Sequence, residues 1–373
     1  MKVLVTGVKG QLGYDVVKEL EKRGIEAKGV DIEDFDLTNR EQVISYITDY
    51  APDAVVHCAA FTAVDKAEEA TELCMAVNAE GTGNIARACK AVDAKLVYIS
   101  TDYVYDGQGS EPFVPSSPKA PINKYGESKY LGELRAAEQT DKLFIVRISW
   151  VFGVNGGNFI RTMLKLGESH KELTVVDDQI GSPTYTADLA VLLVDMVQTE
   201  KYGAYCATNE GYCSWAEFAS AIFAQAGADV KVTPVSTEEY LRMRPQQALR
   251  PKNSRMSKDA LDEAGFNRLP TWDCILQHIF SRFIIPSSYT TCSICSIYLS
   301  HFFNSSTYRE MISVIIIYIK ERVSKCSTCK IILVFTILTY YLRNRIEIFR
   351  LENYPIMLLE IAILIYFPHT LRF

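Results

Sequence analysis

A tyrosine and a lysine, Tyr125 and Lys129, stand four positions apart in the segment YGESK. In a helix this spacing places both side chains on one face. A free phenol has a pKa near 10, and a neighbouring ammonium stabilises the phenolate. We therefore expect Lys129 to lower the pKa of Tyr125 and to make it a usable acid or base. A solvated helix face is the alternative that so short a pattern leaves open.

A hydroxyl that can assist this chemistry follows an apolar run, in the segment STDYVYDG that begins at Ser100. Open α/β sheets bind their ligands outside the carboxyl ends of the strands. We therefore expect Thr101 to hydrogen-bond the same carbonyl oxygen that Tyr125 protonates. The three residues Thr101, Tyr125 and Lys129 are our predicted catalytic set.

Three glycines with the spacing G-x-x-G-x-x-G follow the first apolar run, at Gly7, Gly10 and Gly13. The first allows a tight turn from strand to helix, the second lets the backbone approach a pyrophosphate, and the third allows close packing of the helix on the strand. The helix start then offers free N–H groups and a partial positive charge to phosphates. The motif predicts a dinucleotide site, against the alternative of a merely structural turn.

An acidic residue, Asp31, follows the second predicted strand directly, eighteen positions after Gly13. A carboxylate at this place can accept hydrogen bonds from the adenosine ribose and repel a 2′-phosphate. Further acidic residues follow it, so a solvated loop is the alternative.

The elements that must position these residues alternate between strand and helix patterns. Short β-branched runs predict strands at Lys2–Thr6, Glu26–Val30, Ala54–His57, Lys95–Ser100, Leu143–Arg147 and Leu173–Val176, and the intervening patterns predict helices at Leu12–Arg23, Arg40–Tyr50, Thr71–Ala91, Tyr125–Gln139, Thr186–Val197 and Ser214–Ala226. Such alternation indicates an α/β protein of the Rossmann type, with a doubly wound parallel sheet. We predict a dinucleotide-binding domain over residues 1–150 and a smaller substrate-binding region over 151–281.

The remaining residues, 282–373, form an atypical extension. All 20 glycines of the chain lie at or before Gly265, and the last ninety or so residues carry ten Lys or Arg and five Glu. A folded domain normally needs glycine at turns and helix ends, so we interpret this tail as an extension not selected for the fold. Its apolar runs are shorter than a bilayer span, which makes a membrane segment the weaker alternative. Two Cys-x-x-Cys pairs, beginning at Cys292 and Cys326, resemble zinc ligands but lack nearby glycine, so we predict no metal there.

The overall charge and the cysteine pattern limit the environment. A formal net charge of −6 argues against nonspecific binding to nucleic acid or to anionic membranes, which select basic surfaces. The first residues contain no apolar run long enough for a signal peptide, and the ten cysteines are scattered. We expect a cytoplasmic protein with reduced thiols.

Taken together, the glycine motif, the STDYVYDG segment and the YGESK helix resemble those of the extended short-chain dehydrogenase/reductases. Within that class the chain is similar to the dTDP-4-dehydrorhamnose reductases, and the supporting segments are HCAAFTAVDKAE from His57, VNAEGT from Val77, RISWVFG from Arg147 and RPKNS from Arg250. The resemblance runs from Met1 to about Phe280. It implies that NADPH or NADH reduces the C4 carbonyl of a dTDP-linked 4-keto-6-deoxy sugar, dTDP-4-dehydro-β-L-rhamnose.

The resemblance also implies roles for single residues. Cofactor contacts are implied for Gly10, Gln11 and Leu12 at the pyrophosphate, Asp36 and Leu37 at the adenine, and Ala60, Phe61 and Thr62 near the nicotinamide. Tyr125 becomes the proton donor, Lys129 holds the nicotinamide ribose, and the substrate side is implied for Thr101, Asp102 and Trp150. The family has been linked to magnesium, but no carboxylate cluster in the sequence identifies a metal site, and a homodimer is left open.

Several alternatives stay open at this point. Trp150 fits a core aromatic as well as a substrate contact, and Thr62 fits a helix cap. The chain can instead be a nucleotide-sugar epimerase or dehydratase, with Asp102 moving a proton. It can also be a non-catalytic nucleotide-binding subunit, like the related regulatory subunit of methionine adenosyltransferase, although the intact Tyr125–Lys129 pair argues against that.

Overall fold

The computed structural model describes residues 1–281, and its strands form one large sheet and several two-stranded ones. In chain order the strands are β1 (Lys2–Thr6), β2 (Glu26–Val30), β3 (Ala54–His57), β4 (Lys95–Thr101), β5 (Leu143–Ile148), β6 (Val151–Phe152), β7 (Glu172–Val176), β8 (Ile180–Gly181), β9 (Thr184–Tyr185), β10 (Gly203–Cys206), β11 (Asn209–Glu210), β12 (Cys213–Ser214), β13 (Lys231–Val235) and β14 (Leu269–Thr271).

Helices connect most of these strands. They are α1 (Gln11–Lys22), α2 (Arg40–Tyr50), α3 (Val64–Glu69), α4 (Thr71–Met75), α5 (Gly81–Ala91), α6 (Lys124–Ala137), α7 (Phe159–Gly167), α8 (Thr186–Val197), α9 (Trp215–Ala226), α10 (Thr237–Met243), α11 (Asp259–Glu263) and α12 (Trp272–Ile279). A π-helical turn, Ala76–Glu80, joins α4 to α5, and a 3-10 turn, Asp102–Val104, follows β4.

The large sheet has six parallel strands in the order β10-β5-β4-β3-β1-β2. The chain winds outward from β1 in both directions, so the order of the strands reverses between β1 and β3. Ligands of open α/β sheets bind at such a reversal, outside the carboxyl ends of the strands. The predicted Rossmann-type fold is thus confirmed, with helices on both faces of the sheet.

Alternate residues of the central strands enter two separate apolar cores. On one face Val3 and Val5 pack with helices α1 and α8, and on the other Leu4 packs against α2 and α5. Because both faces are covered, these strands read in the sequence as nearly continuous apolar runs.

The helix predicted over Thr71–Ala91 is not a regular α-helix. Its middle turn, Ala76–Glu80, takes the wider π-helical form, while the flanking turns α4 and α5 are regular. Such turns are rare and often occur at functional sites, because the extra residue turns one side chain out of the regular face. Here the turn contains Asn78, whose side chain hydrogen-bonds the backbone of Phe61 in the loop after β3.

The sixth strand of the large sheet, β10, comes from beyond residue 150, where we predict the domain boundary. The division into 1–150 and 151–281 stays a prediction, and both β10 and helix α8 cross it, since α8 packs against α1 beside the large sheet. The predicted extension 282–373, including both Cys-x-x-Cys pairs, lies outside the described residues. Within residues 1–281 no helix combines the length and the apolar character needed to cross a bilayer.

Candidate active site

The glycine turn between β1 and α1 requires glycine for steric reasons at its first and last positions. Gly7 has φ +70°, and a Cβ atom there would lie 2.7 Å from the backbone nitrogen of Ala59. A Cβ atom on Gly13 would lie 2.4 Å from the Gly7 carbonyl oxygen. Gly10 is the N-cap of α1 and no side chain caps the helix. The first-turn N–H groups therefore remain available to an anionic ligand, as a bound pyrophosphate requires.

Asp31 lies against this turn. Its Oδ2 accepts a hydrogen bond from the Lys9 backbone N–H at 3.0 Å, and its Oδ1 accepts one from the Ile32 N–H at 2.9 Å. The Lys9 ammonium forms an ion pair with Glu33 on the same rim. Asp31 therefore fastens the end of β2 to the glycine turn, in addition to the ribose contact that we predict for it.

A single cleft of about 810 Å³ extends from the glycine turn to the carboxyl end of β4. It is lined by all the predicted site residues except Phe61, namely Gly7, Gly10, Gln11, Leu12, Gly13, Asp31, Asp36, Leu37, Ala60, Thr62, Thr101, Asp102, Tyr125, Lys129 and Trp150. Residues as far apart in the sequence as Gly7 and Trp150 thus meet along one groove, whose volume is within the range of ligand sites.

The loop after β3 is held by a side chain that sequence reasoning missed. Asn78, in the π-helical turn, accepts from the Phe61 N–H at 2.8 Å, and donates to the Phe61 carbonyl at 3.0 Å and to the Ser128 hydroxyl at 2.9 Å. Phe61 therefore fixes the loop through its backbone, while its neighbours Ala60 and Thr62 line the cleft. Thr62 does not cap α3, whose N-cap is Ala63.

Tyr125 lies beside the end of β4, where it is hydrogen-bonded to Thr101. Burial raises the pKa of Tyr125, the negative charge of Asp102 raises it further, and the hydrogen bond with Thr101 only partly offsets them. The expectation that Lys129 lowers this pKa is therefore wrong in direction, because spacing along a helix reveals neighbours but not burial. A protonated phenol is the form that a proton donor needs at neutral pH.

Lys129 lies one helical turn further along α6, and only 3% of it is exposed. Its Nζ atom lies 4.3 Å from the centre of the Tyr98 ring. Burial lowers the pKa of Lys129 to about 7, against the attraction of the Glu133 carboxylate. The charge of this lysine is therefore sensitive to its surroundings near neutral pH.

Asp102 has one satisfied and one unsatisfied carboxylate oxygen. Oδ1 accepts a hydrogen bond from the Thr101 hydroxyl at 3.0 Å, whereas Oδ2 is buried and forms no hydrogen bond of good geometry within residues 1–281, although the Ser254 hydroxyl lies close to the carboxylate. Burial raises the pKa of Asp102 to about 6. A buried acceptor without a donor is costly. Its position on the cleft therefore indicates a ligand that supplies a donor, such as a sugar hydroxyl.

Trp150 is held in a strained backbone conformation at the same end of the cleft. Its φ of +50° lies in the left-handed region, which is unusual for a bulky residue. Its ring stacks on Trp215 with centroids 3.7 Å apart and planes 16° apart, and a Cβ on Gly181 would lie 3.0 Å from it. Trp150 is half-buried and lines the cleft, unlike a core aromatic. Trp215, at the start of α9, is a second residue that sequence reasoning missed.

Comparisons with known proteins agree with this geometry. The family model described as the RmlD substrate binding domain matches residues 1–285. A dTDP-4-dehydrorhamnose reductase of Burkholderia thailandensis is 37% identical over 289 residues, which cover 73% of this chain and 95% of that one. The chain belongs to the dTDP-4-dehydrorhamnose reductase family.

Other members of this family, or proteins similar to it, match over the same part of the chain. The spore coat polysaccharide biosynthesis protein SpsK of Bacillus subtilis is 41% identical over 264 residues, covering 71% of this chain and 92% of that protein. A crystal structure of the dTDP-4-dehydrorhamnose reductase of Bacillus anthracis in complex with NADP is 44% identical, with a TM-score of 0.72, and covers 75% of this chain and 98% of that one. The family match ends at residue 285, close to the predicted start of the extension.

The resemblance to the reductase family raised the possibility of magnesium. Residues 1–281 contain no candidate site for this ion. No group of three or more histidine, cysteine, aspartate or glutamate side chains there is arranged to hold a metal ion. The polar groups at the predicted catalytic end of the cleft, namely the hydroxyls of Thr101 and Tyr125, the Lys129 ammonium and the Asp102 carboxylate, fit a dinucleotide and a sugar instead.

Substitution of Asp31 tests whether this residue determines the preference of the protein for NADH or NADPH. We expect Asp31→Ala to move the NADPH/NADH ratio of kcat/KM toward NADPH by about 3- to 10-fold, since it removes a negative charge from the place where we predict the adenosine ribose. Because the alanine also loses the bond to the Lys9 N–H, both cofactors should bind more weakly. Steady-state kinetics with each cofactor measures both effects.

The matched control is Asp31→Asn, which keeps an oxygen that can accept from Lys9 but removes the charge. It should shift the ratio as the alanine does while largely preserving binding. An unchanged ratio in both variants would leave Asp31 with a structural role only.

Proposed function

We propose that this chain catalyses the NAD(P)H-dependent reduction of the C4 keto group of dTDP-4-dehydro-β-L-rhamnose to dTDP-L-rhamnose. The observation that carries the proposal is the meeting of Thr101, Tyr125 and Lys129 in the same cleft as the glycine turn. The glycine turn fits a dinucleotide, because the start of α1 lines the cleft and its first N–H groups have no side-chain cap, so they can bind phosphates. When bound, the nicotinamide cofactor supplies the hydride.

The residues of the chain supply the proton and hold the substrate. Tyr125, whose phenol is protonated at neutral pH, donates its proton to the oxygen that becomes a hydroxyl. Thr101 hydrogen-bonds the same oxygen, so that the negative charge developing there is stabilised in a site shielded from water. Lys129 holds the ribose of the cofactor through its ammonium group.

The sugar is positioned by the residues around it. The free Oδ2 of Asp102 accepts from a sugar hydroxyl, and the Trp150 ring forms the wall against which the sugar lies. Because Asp102 has a pKa of about 6, it is ionised above that pH and is then the stronger acceptor.

The proposal is tested by following absorbance at the nicotinamide band with dTDP-4-keto-6-deoxy sugar and purified protein. We expect stoichiometric oxidation of NADPH or NADH and formation of dTDP-L-rhamnose. An epimerase or a dehydratase would convert the nucleotide sugar without net cofactor oxidation, and a non-catalytic subunit would do neither. Either outcome would reject the reductase assignment.

We further propose that the protein works in the cytoplasm, where both the cofactor and the nucleotide sugar are found. The cysteines of the described part, at 58, 74, 89, 206, 213 and 274, are free thiols, as expected in a reducing compartment. The assembly, for which the sequence left a homodimer open, is measured by sedimentation equilibrium.

A further inference from the structure

A buried ion pair lies on the same helix as the tyrosine and the lysine. Glu133 follows Lys129 by four residues, so Tyr125, Lys129 and Glu133 repeat along one face of α6. Glu133 Oε1 accepts from the Ser100 hydroxyl at 2.6 Å and from Arg147 Nε at 2.8 Å, and Oε2 accepts from Arg147 Nη2 at 2.6 Å. Glu133 is 3% exposed and Arg147 is 2% exposed.

A contribution to stability alone does not explain the buried Glu133–Arg147 ion pair. A buried pair of charges often adds little to stability compared with apolar residues of similar volume. Ser100 precedes the proposed catalytic Thr101, and Arg147 lies in β5 beside it. The Glu133 carboxylate is therefore anchored near the carboxyl ends of β4 and β5, one helical turn beyond Lys129 along α6.

The other titratable groups that face Lys129 are uncharged near neutral pH. Burial raises the pKa of Cys58 to about 12 and also raises that of Cys74. Burial lowers the pKa of His57 to about 3, so its imidazole is neutral. Tyr98 beneath the ammonium is a protonated phenol. In the described part of the chain, Glu133 is the one carboxylate that attracts this ammonium.

We propose that Glu133 is a positioning residue whose anchored carboxylate keeps Lys129 in its cationic, cofactor-binding form. Ser100 and Arg147 fix the carboxylate one helical turn beyond the lysine on the same face of α6. The inference rests on the proposed role of Lys129 at the cofactor ribose, and it adds the group that acts through that lysine.

The direction of the resulting pH dependence follows from the sign of each charge. A lysine is cationic below its pKa, and Lys129, with a pKa of about 7, loses its charge as the pH rises through that value. Removing the negative charge of Glu133 makes the cation less favourable. The pH above which NADPH binding weakens should then move down, by about one pH unit for a buried neighbour at this spacing.

Glu133→Gln tests this, with the dissociation constant of NADPH measured by fluorescence from pH 5 to 9. We expect the alkaline weakening to start about one pH unit lower than in the wild type. The matched control is Glu127→Gln, the same change on the half-exposed face of α6, where Glu127 pairs with Lys124. Solvent screens that charge, so the control should keep the wild-type profile.

Glu133→Gln leaves the Arg147 charge buried without its partner and can therefore unfold the protein. A second variant keeps the test valid in that case. The double variant Glu133→Gln/Arg147→Met removes both charges and should show a shift of the same sign. If neither soluble variant moves the profile, or if Glu127→Gln moves it equally, Glu133 has only a structural role. If the wild type does not bind NADPH at all, it is the proposed function that fails.

Discussion

Tyr125→Phe should reduce turnover by roughly 10²–10⁴-fold, the usual contribution of general acid catalysis, while leaving NADPH affinity nearly unchanged. The substitution removes the proton that we assign to the substrate oxygen and keeps the ring. That ring lies edge-on to Tyr103, with centroids 5.6 Å apart and an angle of 79°, so the packing should persist. Steady-state turnover and a fluorescence titration of NADPH separate the two effects.

The matched control is Tyr103→Phe, the same loss of a hydroxyl from a second tyrosine that lines the cleft. We expect this variant to keep turnover within about one order of magnitude, since no proton transfer depends on it. If the Tyr125→Phe protein kept most of the wild-type turnover, Tyr125 would not be the proton donor. If Tyr103→Phe instead showed the large loss, the proton donor would be Tyr103.

The elements that were predicted accurately are those whose signal is local. Strands β1, β2 and β3 begin and end at the predicted residues. Strands β1 and β3 are buried on both faces and appear as short apolar, β-branched runs, whereas β2 is mostly exposed and only its last residue, Val30, is buried. Strand β10, Gly203–Cys206, was not predicted. It is four residues long, starts with glycine and pairs only with β5 in the large sheet, so it has no comparable local signal.

The site residues also divide into those with a local sequence signal and those without one. The glycine turn and the Tyr125–Lys129 pair are contiguous motifs, and their positions on one cleft could be predicted from spacing. Asn78 reaches the loop after β3 only because its turn is π-helical, and Trp215 meets Trp150 from 65 positions away. Neither contact has a signature within a short window of sequence, because tertiary packing creates it.

The pKa shifts of the site show most clearly where prediction from the sequence fails. The sequence places Lys129 one turn from Tyr125, from which we expected a lowered tyrosine pKa. In the structure burial dominates, and it moves the pKa of Tyr125 up and that of Lys129 down. Desolvation depends on every element packed around the pair, so helix spacing alone gives the wrong sign.

The end of the described fold sets the position for a truncation experiment. Helix α12 packs against α9, β9 and β14, and its Trp272 meets Phe218 edge-on with centroids 5.6 Å apart. Leu276 and Ile279 are buried within it, and Phe280 directly after it is fully buried. A boundary drawn for the predicted extension must therefore lie after Phe280.

A chain that ends at Ser281 should fold and keep its reductase activity per molecule, with higher solubility than the full chain. Every proposed site residue is retained, and the removed apolar runs no longer promote association. Light scattering, thermal unfolding and turnover measure this. An unfolded or inactive product, beside an active full-length protein, would show that the extension is integral to the fold.

The matched comparison is a chain that ends at Thr271 and so lacks α12. Burial of a large apolar side chain contributes about 1.5–3 kcal/mol, so losing Leu276, Ile279 and Phe280 should cost about 5–9 kcal/mol. That is comparable with the whole free energy of unfolding of a typical domain, about 5–15 kcal/mol. We therefore expect this shorter chain to be largely unfolded by circular dichroism and to have lost its activity. If it folded as well as the chain ending at Ser281, the packing of α12 would contribute little, and the fold would end earlier than Phe280.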